Sequence, residues 1–280
     1  MSALGSVAAL LACPECGGAL HPPDDQRALR CSAGHSFDIA RQGYVGLLTG
    51  ASTKMTGDTA DMLDARAAFQ GAGHFGPIAE AVARALGSFS PDSAVLEIGA
   101  GTGYYLASVI DASPDSVGVA LDVAKPAARR AARVHPRVAS VLADAWRGLP
   151  LRDSSVEGVL CVFAPRNAAE VARVLAPGGR FVVVTPTERH LGELIEPLDM
   201  VRVDPDKDRR LAEQLAGTFS RVGHEVVEYS MPLSPDAVGQ VVAMGPSAFH
   251  RSTDDPRIAA LPAITPVTAS VDVSTYVANG

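Results

Sequence analysis

Three cysteines and a histidine near the start of the chain have the spacing of a metal site. Two residues separate Cys13 from Cys16, three separate Cys31 from His35, and fourteen residues lie between the two pairs. Each short spacing lets both side chains of a pair face one ion, and two such pairs complete a tetrahedron around Zn2+ with no open position for water. We therefore predict a structural zinc site, whose metal would let a segment too short for its own core fold.

Two other interpretations of this region are weaker. A disulfide framework would leave an odd cysteine among these three thiols, and the sequence gives no sign of export. The sequence from Leu10 to Cys13 resembles a lipoprotein cleavage box. No basic residue precedes it, however, and the apolar run is only about ten residues, so we do not expect a signal peptide.

A glycine-rich turn follows the short apolar segment from Ala94 to Ile98. In the sequence Gly-Ala-Gly-Thr-Gly, three glycines let the backbone approach a ligand at the end of a strand. Tyr104 stands where a dinucleotide-binding pattern would place its last glycine, so the pattern favours S-adenosylmethionine (SAM) over NAD. We predict that the cofactor lies against this turn and its approach, which comprise Glu97, Gly99, Gly101, Thr102 and Gly103.

Two aspartates follow the next two predicted strands. Asp122 lies 19 residues beyond Gly103, where a carboxylate can accept hydrogen bonds from both ribose hydroxyls of a nucleoside. Asp144, followed by Ala145, ends the third strand and could accept a hydrogen bond from the adenine amino group. Either aspartate alone could be an ordinary strand-end or helix-capping residue. Together with the glycine turn they predict a SAM site at one edge of a sheet.

Short β-branched runs alternate with helical stretches from about residue 77, which is typical of a parallel sheet covered by helices. We predict seven strands, the last of them antiparallel because its apolar and polar residues alternate. The predicted strands are Ala94–Ile98, Val117–Leu121, Val138–Leu142, Val156–Phe163, Arg180–Thr185, His224–Met231 and Pro266–Val277. The predicted helices between them are Tyr104–Asp111, Pro126–Val134, Ala168–Leu175 and Asp208–Phe219.

The fourth predicted strand ends at the edge that would face a methyl acceptor, with the sequence Phe163-Ala164-Pro165-Arg166-Asn167. This is not the Asn/Asp-Pro-Pro-aromatic motif of enzymes that methylate exocyclic amines, which favours a ring nitrogen, oxygen or carbon as acceptor. Cys161 lies in an apolar run and is expected to be core. We assign no catalytic base from the sequence.

The composition describes a globular chain of 280 residues, 47% of them hydrophobic, with a net charge of −7. This size accommodates an α/β domain and a small extra module, and no run approaches a membrane span. An acidic chain does not hold nucleic acid by bulk charge, so any RNA contact must be local. The segment from Lys125 to Arg137 has five basic residues and no acidic one; it could contact RNA or be a solvated helix face.

Several motifs together resemble the bacterial large-subunit rRNA guanine-N1 methyltransferases, and the similarity covers nearly the whole chain. The motifs are Cys-Pro-x-Cys followed by residues 31–45, Asp58-x3-Met62-x3-Arg66-x2-Phe69-x3-Gly73-His74-Phe75, Leu121-Asp122-Val123-x-Lys125 and residues 163–167. Within that family the chain is most similar to the branch that protects macrolide producers against tylosin or mycinamicin-type drugs.

The resemblance implies a class I, Rossmann-like SAM-dependent methyltransferase with a small N-terminal zinc-binding module. It implies zinc ligands at Cys13, Cys16, Cys31 and His35, and SAM contacts at Gly101, Thr102, Asp122 and His190. Relatives often have Tyr at the position of Phe75, which here can pack its ring against SAM but cannot donate a hydroxyl. The implied substrate is a guanine in a 23S rRNA hairpin loop near the peptide exit tunnel. The resemblance also implies a cytoplasmic enzyme and suggests a homodimer.

We therefore expect an RNA-recognition zinc module at residues 1–50, a helical connector at 51–76 and a methyltransferase domain at 77–280. A small-molecule methyltransferase remains the alternative, since the acidic charge and the general SAM fold suit it equally well. A zinc-containing RNA-binding regulator without catalytic activity is a third hypothesis, and it predicts that SAM does not bind.

Overall fold

The computed structural model describes residues 2–22, 27–49, 53, 55, 57–204, 206–245 and 255–279. Within these residues, ten strands form a small and a large sheet: β1 Ala28–Arg30, β2 Ser36–Asp38, β3 Tyr44–Gly46, β4 Ala94–Ile98, β5 Val117–Asp122, β6 Val138–Leu142, β7 Val156–Val162, β8 Leu175–Pro186, β9 Phe219–Leu233 and β10 Thr265–Ala278. The helices are α1 Ala3–Val7, α2 Ala60–Gly71, α3 Gly76–Leu86, α4 Tyr104–Asp111, α5 Lys125–Ala131, α6 Ala168–Val174, α7 Gly192–Ile195, α8 Lys207–Leu215, α9 Pro235–Ala243 and α10 Pro256–Ala259.

The large sheet has eight strands in the order β3-β6-β5-β4-β7-β8-β10-β9. The six strands from β3 to β8 in this order are parallel, and β10 runs antiparallel to both of its neighbours, which confirms the predicted direction of the last strand. The α/β fold is therefore confirmed, but the predicted count of seven strands is wrong. The eighth strand, β3, is only three residues long and pairs with β6 from within the N-terminal segment, so its sequence carries no separate strand pattern.

Two hydrophobic clusters cover the two faces of this sheet. Val95 and Ala120 face a cluster with α3, α4 and α9, whereas Leu96 and Val119 face the other side. Because side chains alternate along a strand, neighbouring residues of β4 and β5 enter different clusters. Parallel strands buried on both faces account for the nearly continuous apolar runs in the sequence.

The N-terminal segment shares the second of these clusters. Leu11, Leu20 and Leu29 are fully buried there together with Leu96 and Val119 of the large sheet. Backbone hydrogen bonds join the two parts, because Ala12 N–H donates to the Pro150 carbonyl and Arg152 N–H donates to the Leu10 carbonyl. The described part of the N-terminal segment is thus packed directly against the sheet.

Helix boundaries follow local signals where a capping residue is present. The Thr59 hydroxyl accepts a hydrogen bond from Met62 N–H and caps the start of α2. Helix α8 ends at Leu215, before the predicted end at Phe219, because Phe219 begins the long strand β9. Among the described helices, none is both long and apolar enough to cross a bilayer.

Candidate functional site

The four predicted zinc ligands converge. The ligand atoms of Cys13, Cys16, Cys31 and His35 lie within 4.8 Å of one another. The Cys16 and Cys31 sulfurs are 3.7 Å apart, and His35 Nδ1 lies 3.5 Å from the Cys13 sulfur and 3.3 Å from the Cys31 sulfur. A tetrahedral Zn2+ requires separations of about 3.8 Å between sulfurs and about 3.6 Å between sulfur and nitrogen, so the donor set fits the ion.

Backbone turns position these ligands. Cys13 N–H donates to the Gly18 carbonyl and Gly17 N–H donates to the Cys13 carbonyl, which closes the first knuckle. In the second knuckle, Cys31 N–H donates to the His35 carbonyl. Gly34 has a φ of 88° there, in the left-handed region that favours glycine.

A cavity of about 860 Å³ lies at the carboxyl edge of the parallel strands. Ligands of open α/β sheets bind at this edge, and the volume is within the usual range for cofactor sites. A second cavity, of about 600 Å³, lies between the zinc knuckle and residues 147–153, and Ala143 and Asp144 line both. The zinc module therefore adjoins the edge of the cofactor cavity.

The structure divides the predicted cofactor residues into two groups. Seven of them line the cavity: Phe75, Glu97, Gly99, Asp122, Asp144, Ala145 and His190. Gly101, Thr102 and Gly103 lie behind its wall. The Thr102 hydroxyl donates to Gln70 Oε1 at 2.6 Å, and Gln70, which the sequence did not suggest, lines the cavity in its place.

Two glycines of the turn pack too closely against neighbouring side chains to carry a Cβ atom. Gly99 has a φ of 68°, and a Cβ atom there would lie 2.5 Å from Ala164 Cβ. Gly103 has a φ of 77°, and its Cβ would lie 2.9 Å from Val134 Cγ1. Both positions therefore require glycine, the first beside the cavity and the second where α4 begins.

Asp122 connects the turn to the end of β5. Its Oδ2 accepts from Gly101 N–H and its Oδ1 accepts from Ala124 N–H, both at 2.8 Å. Each carboxylate oxygen keeps one lone pair for a further donor, so two vicinal hydroxyls can still bind. Burial raises the pKa of Asp122, and the two backbone N–H groups oppose that shift by stabilising the charged form.

Asp144 is fixed in a similar way at the end of β6. Its Oδ1 accepts from Trp146 N–H at 3.0 Å and its Oδ2 accepts from the Thr53 hydroxyl at 2.6 Å. The aspartate therefore caps the short 3-10 helix Ala145–Arg147 and also lines the cavity. The structural and the cofactor-binding interpretations of this residue are compatible.

Glu97 is a buried carboxyl group at the end of β4. Burial raises its pKa to about 8, although its Oε2 accepts a hydrogen bond from Leu106 N–H at 3.1 Å. The side chain is therefore largely protonated at neutral pH.

Arg66 also lines the cavity. Its guanidinium forms an ion pair with Asp58 at 2.5 Å and donates a hydrogen bond to the Met244 carbonyl at 2.8 Å. No local pattern in the sequence indicated that Arg66 would reach this cavity.

Three rings form one wall of the cavity. The Phe163 ring centroid lies 5.8 Å from that of His190 and 6.4 Å from that of Phe75. Phe163 has a φ of 55°, an uncommon conformation for a bulky residue, and its side chain is 41% exposed. Such strain at the end of β7 is maintained by the surrounding structure and keeps an aromatic face open to the cavity.

His190 is oriented by the backbone of the last strand. Its Nδ1 accepts a hydrogen bond from Ser270 N–H at 3.2 Å. We assign the neutral ring proton to Nε2 on this basis. In this tautomer Nε2 carries the ring proton and is not a base.

Comparison with known proteins agrees with this geometry. A zinc-ribbon family model described as "RlmA, N-terminal" matches residues 11–52, and a "Methyltransferase domain" model matches residues 95–179. The 23S rRNA (guanine(748)-N(1))-methyltransferase of Streptomyces fradiae is 50% identical over 272 residues, which cover 95% of this chain and 96% of that protein. The chain belongs to the 23S rRNA guanine-N1 methyltransferase family.

A second relative extends the comparison. A protein of Micromonospora griseorubida, named as a candidate 23S rRNA (guanine-N(1)-)-methyltransferase, is 47% identical over 95% of this chain and 96% of its own length. Family membership also gives the cofactors. The zinc-ribbon match includes the cysteine and histidine cluster and implies zinc, and the methyltransferase-domain match implies SAM. The family resemblance inferred from the sequence motifs is thereby confirmed.

Proposed function

We propose that the protein transfers a methyl group from SAM to N1 of a guanine in 23S rRNA. One observation carries this proposal: the relative named for that reaction is 50% identical across 95% of the chain. The match therefore includes both the zinc cluster and the cofactor cavity. The sequence at the end of β7 differs from the motif of exocyclic-amine methyltransferases, which agrees with a ring nitrogen as acceptor, as it would with an oxygen or a carbon.

Within the cavity, we assign the wall at Asp122 to the nucleoside part of SAM. Asp122 would accept from the ribose hydroxyls, and Asp144 with Ala145 would hold the adenine. Glu97, neutral at pH 7 because burial raises its pKa to about 8, would lie near the methionine end without adding a second buried negative charge. When bound, SAM supplies a methyl group that its sulfonium already activates.

We assign Phe163 of the aromatic wall to the target base, and we keep Phe75 and His190 as contacts of SAM. The guanine must leave its stack to reach the cavity, which costs least in a hairpin loop. Phe163 offers an exposed ring on which the extruded base can stack, beside Phe75 and His190. These side chains would align N1 with the methyl carbon, and alignment is the main contribution an enzyme makes when the methyl group is already activated.

The N1 proton must leave as the new bond forms. His190 does not suit this role in the tautomer assigned above, because its Nε2 already carries a proton. We propose that a group other than His190 accepts this proton.

The RNA partner and its setting complete the proposal. We propose that the zinc module at residues 1–50, joined to the methyltransferase domain at 77–280 by the connector at 51–76, recognises a 23S rRNA hairpin near the peptide exit tunnel. A homodimer would form one RNA cleft, and the modification in the cytoplasm would protect the ribosome against macrolides. The zinc module packs directly against the methyltransferase domain beside the cofactor cavity, which supports a role for the module in RNA binding and for the domain in catalysis.

Methyl transfer from labelled SAM to unmodified 23S rRNA tests the proposal. An N1-methylated guanine cannot form a normal base pair, so reverse transcription should stop at one position in a hairpin loop. Label in small-subunit RNA only, or label in 23S rRNA without a stop, would contradict methylation at guanine N1.

A small-molecule methyltransferase is the second candidate, favoured by the net charge of −7. Deletion of residues 1–50 cannot separate the two candidates, since it would expose the second hydrophobic cluster. Cys16→Ser is a better test because Cys16 is exposed and its loss should leave that cluster intact. Transfer to a small acceptor that persists in Cys16→Ser, with no transfer to RNA by the wild type, would favour the second candidate.

A further inference from the structure

An acidic chain holds RNA through a local surface, and the segment around α5 provides a candidate. Five basic residues lie between Lys125 and Arg137 without an acidic residue among them. The structure shows which of the five have a structural role and which are available to a ligand.

Two of the five have partners within the protein. The Arg137 guanidinium donates to the carbonyls of Ile110, Ser113 and Ser116, at 2.5 to 2.7 Å, and so closes the end of α4. Arg130 forms an ion pair with Asp64 and ties α5 to α2. These two cations stabilise the fold and are not available to bind RNA.

The other three face solvent. Lys125, Arg129 and Arg133 are exposed, and none has an ion-pair partner in the part of the chain that the structure describes. Lys125 and Arg129 are four residues apart on α5, so they lie on the same side of the helix. Arg133 follows in the turn after the helix, and the three span about 12 Å at the helical rise.

The zinc module adds a fourth cation at the far end. The turn before β3 packs against the turn after α5, since a Cβ on Gly43 would lie 3.7 Å from Ala132 Cβ. Arg41, two residues earlier, is exposed and has no ion-pair partner among the described residues. We name the surface formed by Arg41, Lys125, Arg129 and Arg133 the basic stripe.

The stripe leads to the cofactor cavity. Lys125 begins α5 two residues after Val123, which lines the cavity, and Gly57, another lining residue, packs against Ala124. The stripe therefore runs from the edge of the cavity to a turn of the zinc module. A chain of phosphates could follow this path while one base enters the cavity.

We propose that the basic stripe binds the sugar-phosphate backbone of the RNA next to the target nucleotide. This inference rests on the proposed function and specifies where the RNA lies. An unpaired row of cations in a chain of net charge −7 is the kind of site that releases counterions from a polyanion. At about 3.4 Å of helix axis per phosphate, 12 Å corresponds to three or four nucleotides.

The test compares two fourfold alanine variants that remove equal charge. One removes the basic stripe. The control removes four exposed arginines that the structure pairs with acidic side chains elsewhere: Arg84, Arg209, Arg221 and Arg257. Binding to an unmodified 23S rRNA transcript is measured from 50 to 300 mM salt, together with SAM affinity, zinc content and methyl transfer.

We expect the stripe variant to bind the transcript at least tenfold more weakly at 150 mM salt, with SAM affinity and zinc content unchanged. The slope of log affinity against log salt should fall by roughly 3, at about 0.7 to 0.9 per phosphate contact. Equal losses in both variants, or no loss in the stripe variant, would overturn the inference. Failure of the wild type to methylate the transcript would instead count against the proposed function, since binding is measured separately.

Discussion

Replacing Asp122 by asparagine tests the cofactor site at its most constrained residue. Asparagine has the same shape but exchanges one acceptor oxygen for an NH2 donor. In the structure, both carboxylate oxygens accept backbone N–H groups, from Gly101 and Ala124. Whichever way the amide is turned, its NH2 group faces one of these N–H groups, so one backbone hydrogen bond is lost.

The expected magnitude follows from these contacts. A hydrogen bond to a charged group contributes about 1.5 to 3 kcal/mol, and an unsatisfied buried donor costs about 1 to 3 kcal/mol. One ribose hydroxyl would lose its acceptor and the other would keep a neutral one, which should weaken SAM binding by about 2 to 4 kcal/mol. This corresponds to roughly a 30- to 700-fold higher dissociation constant. The free energy of unfolding should also fall, by about 1 to 3 kcal/mol.

The assay is a titration with SAM in which binding is measured by calorimetry and by tryptophan fluorescence. Trp146 is the single tryptophan and lines the cavity, so its fluorescence should report binding. The matched control is Asp115→Asn, which changes an exposed carboxylate just before the same strand. The control should bind SAM like the wild type. SAM binding by Asp122→Asn within threefold of the wild type would refute the assignment of the cavity wall at Asp122.

Three further changes address the zinc cluster, the buried acid and the aromatic wall. Cys16→Ser, or chelation of the wild type, should lower zinc to less than one ion per chain and lower the melting temperature; full zinc content in the variant would contradict the ligand assignment. For Glu97, the pKa is raised from 4.5 in the unfolded chain to about 8 in the folded one, so the folded state is most stable when this carboxyl is protonated. This contribution to the free energy of unfolding is fully present below about pH 4.5 and is lost as the pH rises towards 8, at about 1.4 kcal/mol per pH unit. In urea unfolding at pH 5, 6.5 and 8, stability should therefore fall more steeply in the wild type than in Glu97→Gln, and equal slopes would show that the carboxyl is ionised when folded. Phe163→Ala should lower kcat/KM for RNA by roughly 5- to 150-fold through lost stacking, and an equal loss of SAM affinity would place the ring against the cofactor instead.

Much of the fold could be predicted because its signals are local. The β4 strand and the glycine turn after it share a short segment, and the zinc pairs have fixed spacings, so sequence patterns located both. Strand β3 escaped prediction because three residues carry no period and its partner β6 is about a hundred residues away. Packing between distant segments, and not local propensity, makes it a strand.

The site shows the same division. Patterns at strand ends predicted Asp122 and Asp144, which line the cavity, but could not show that Thr102 turns its hydroxyl to Gln70. Arg66 reaches the cavity through contacts with Asp58 and the Met244 carbonyl. These contacts join α2 to the end of α9, and because the two segments are far apart in the chain, no local sequence pattern predicts them.

Nucleoside analysis of ribosomal RNA tests the central claim most directly. Large-subunit RNA is digested from cells that lack the protein, cells that express it and cells that express Asp122→Asn, and its methylated nucleosides are measured by mass spectrometry. We predict one additional 1-methylguanosine per 23S rRNA with the wild-type protein and a strong reduction with Asp122→Asn. An unchanged content of 1-methylguanosine in the expressing cells, or the gain of a different methylated nucleoside, would contradict the account.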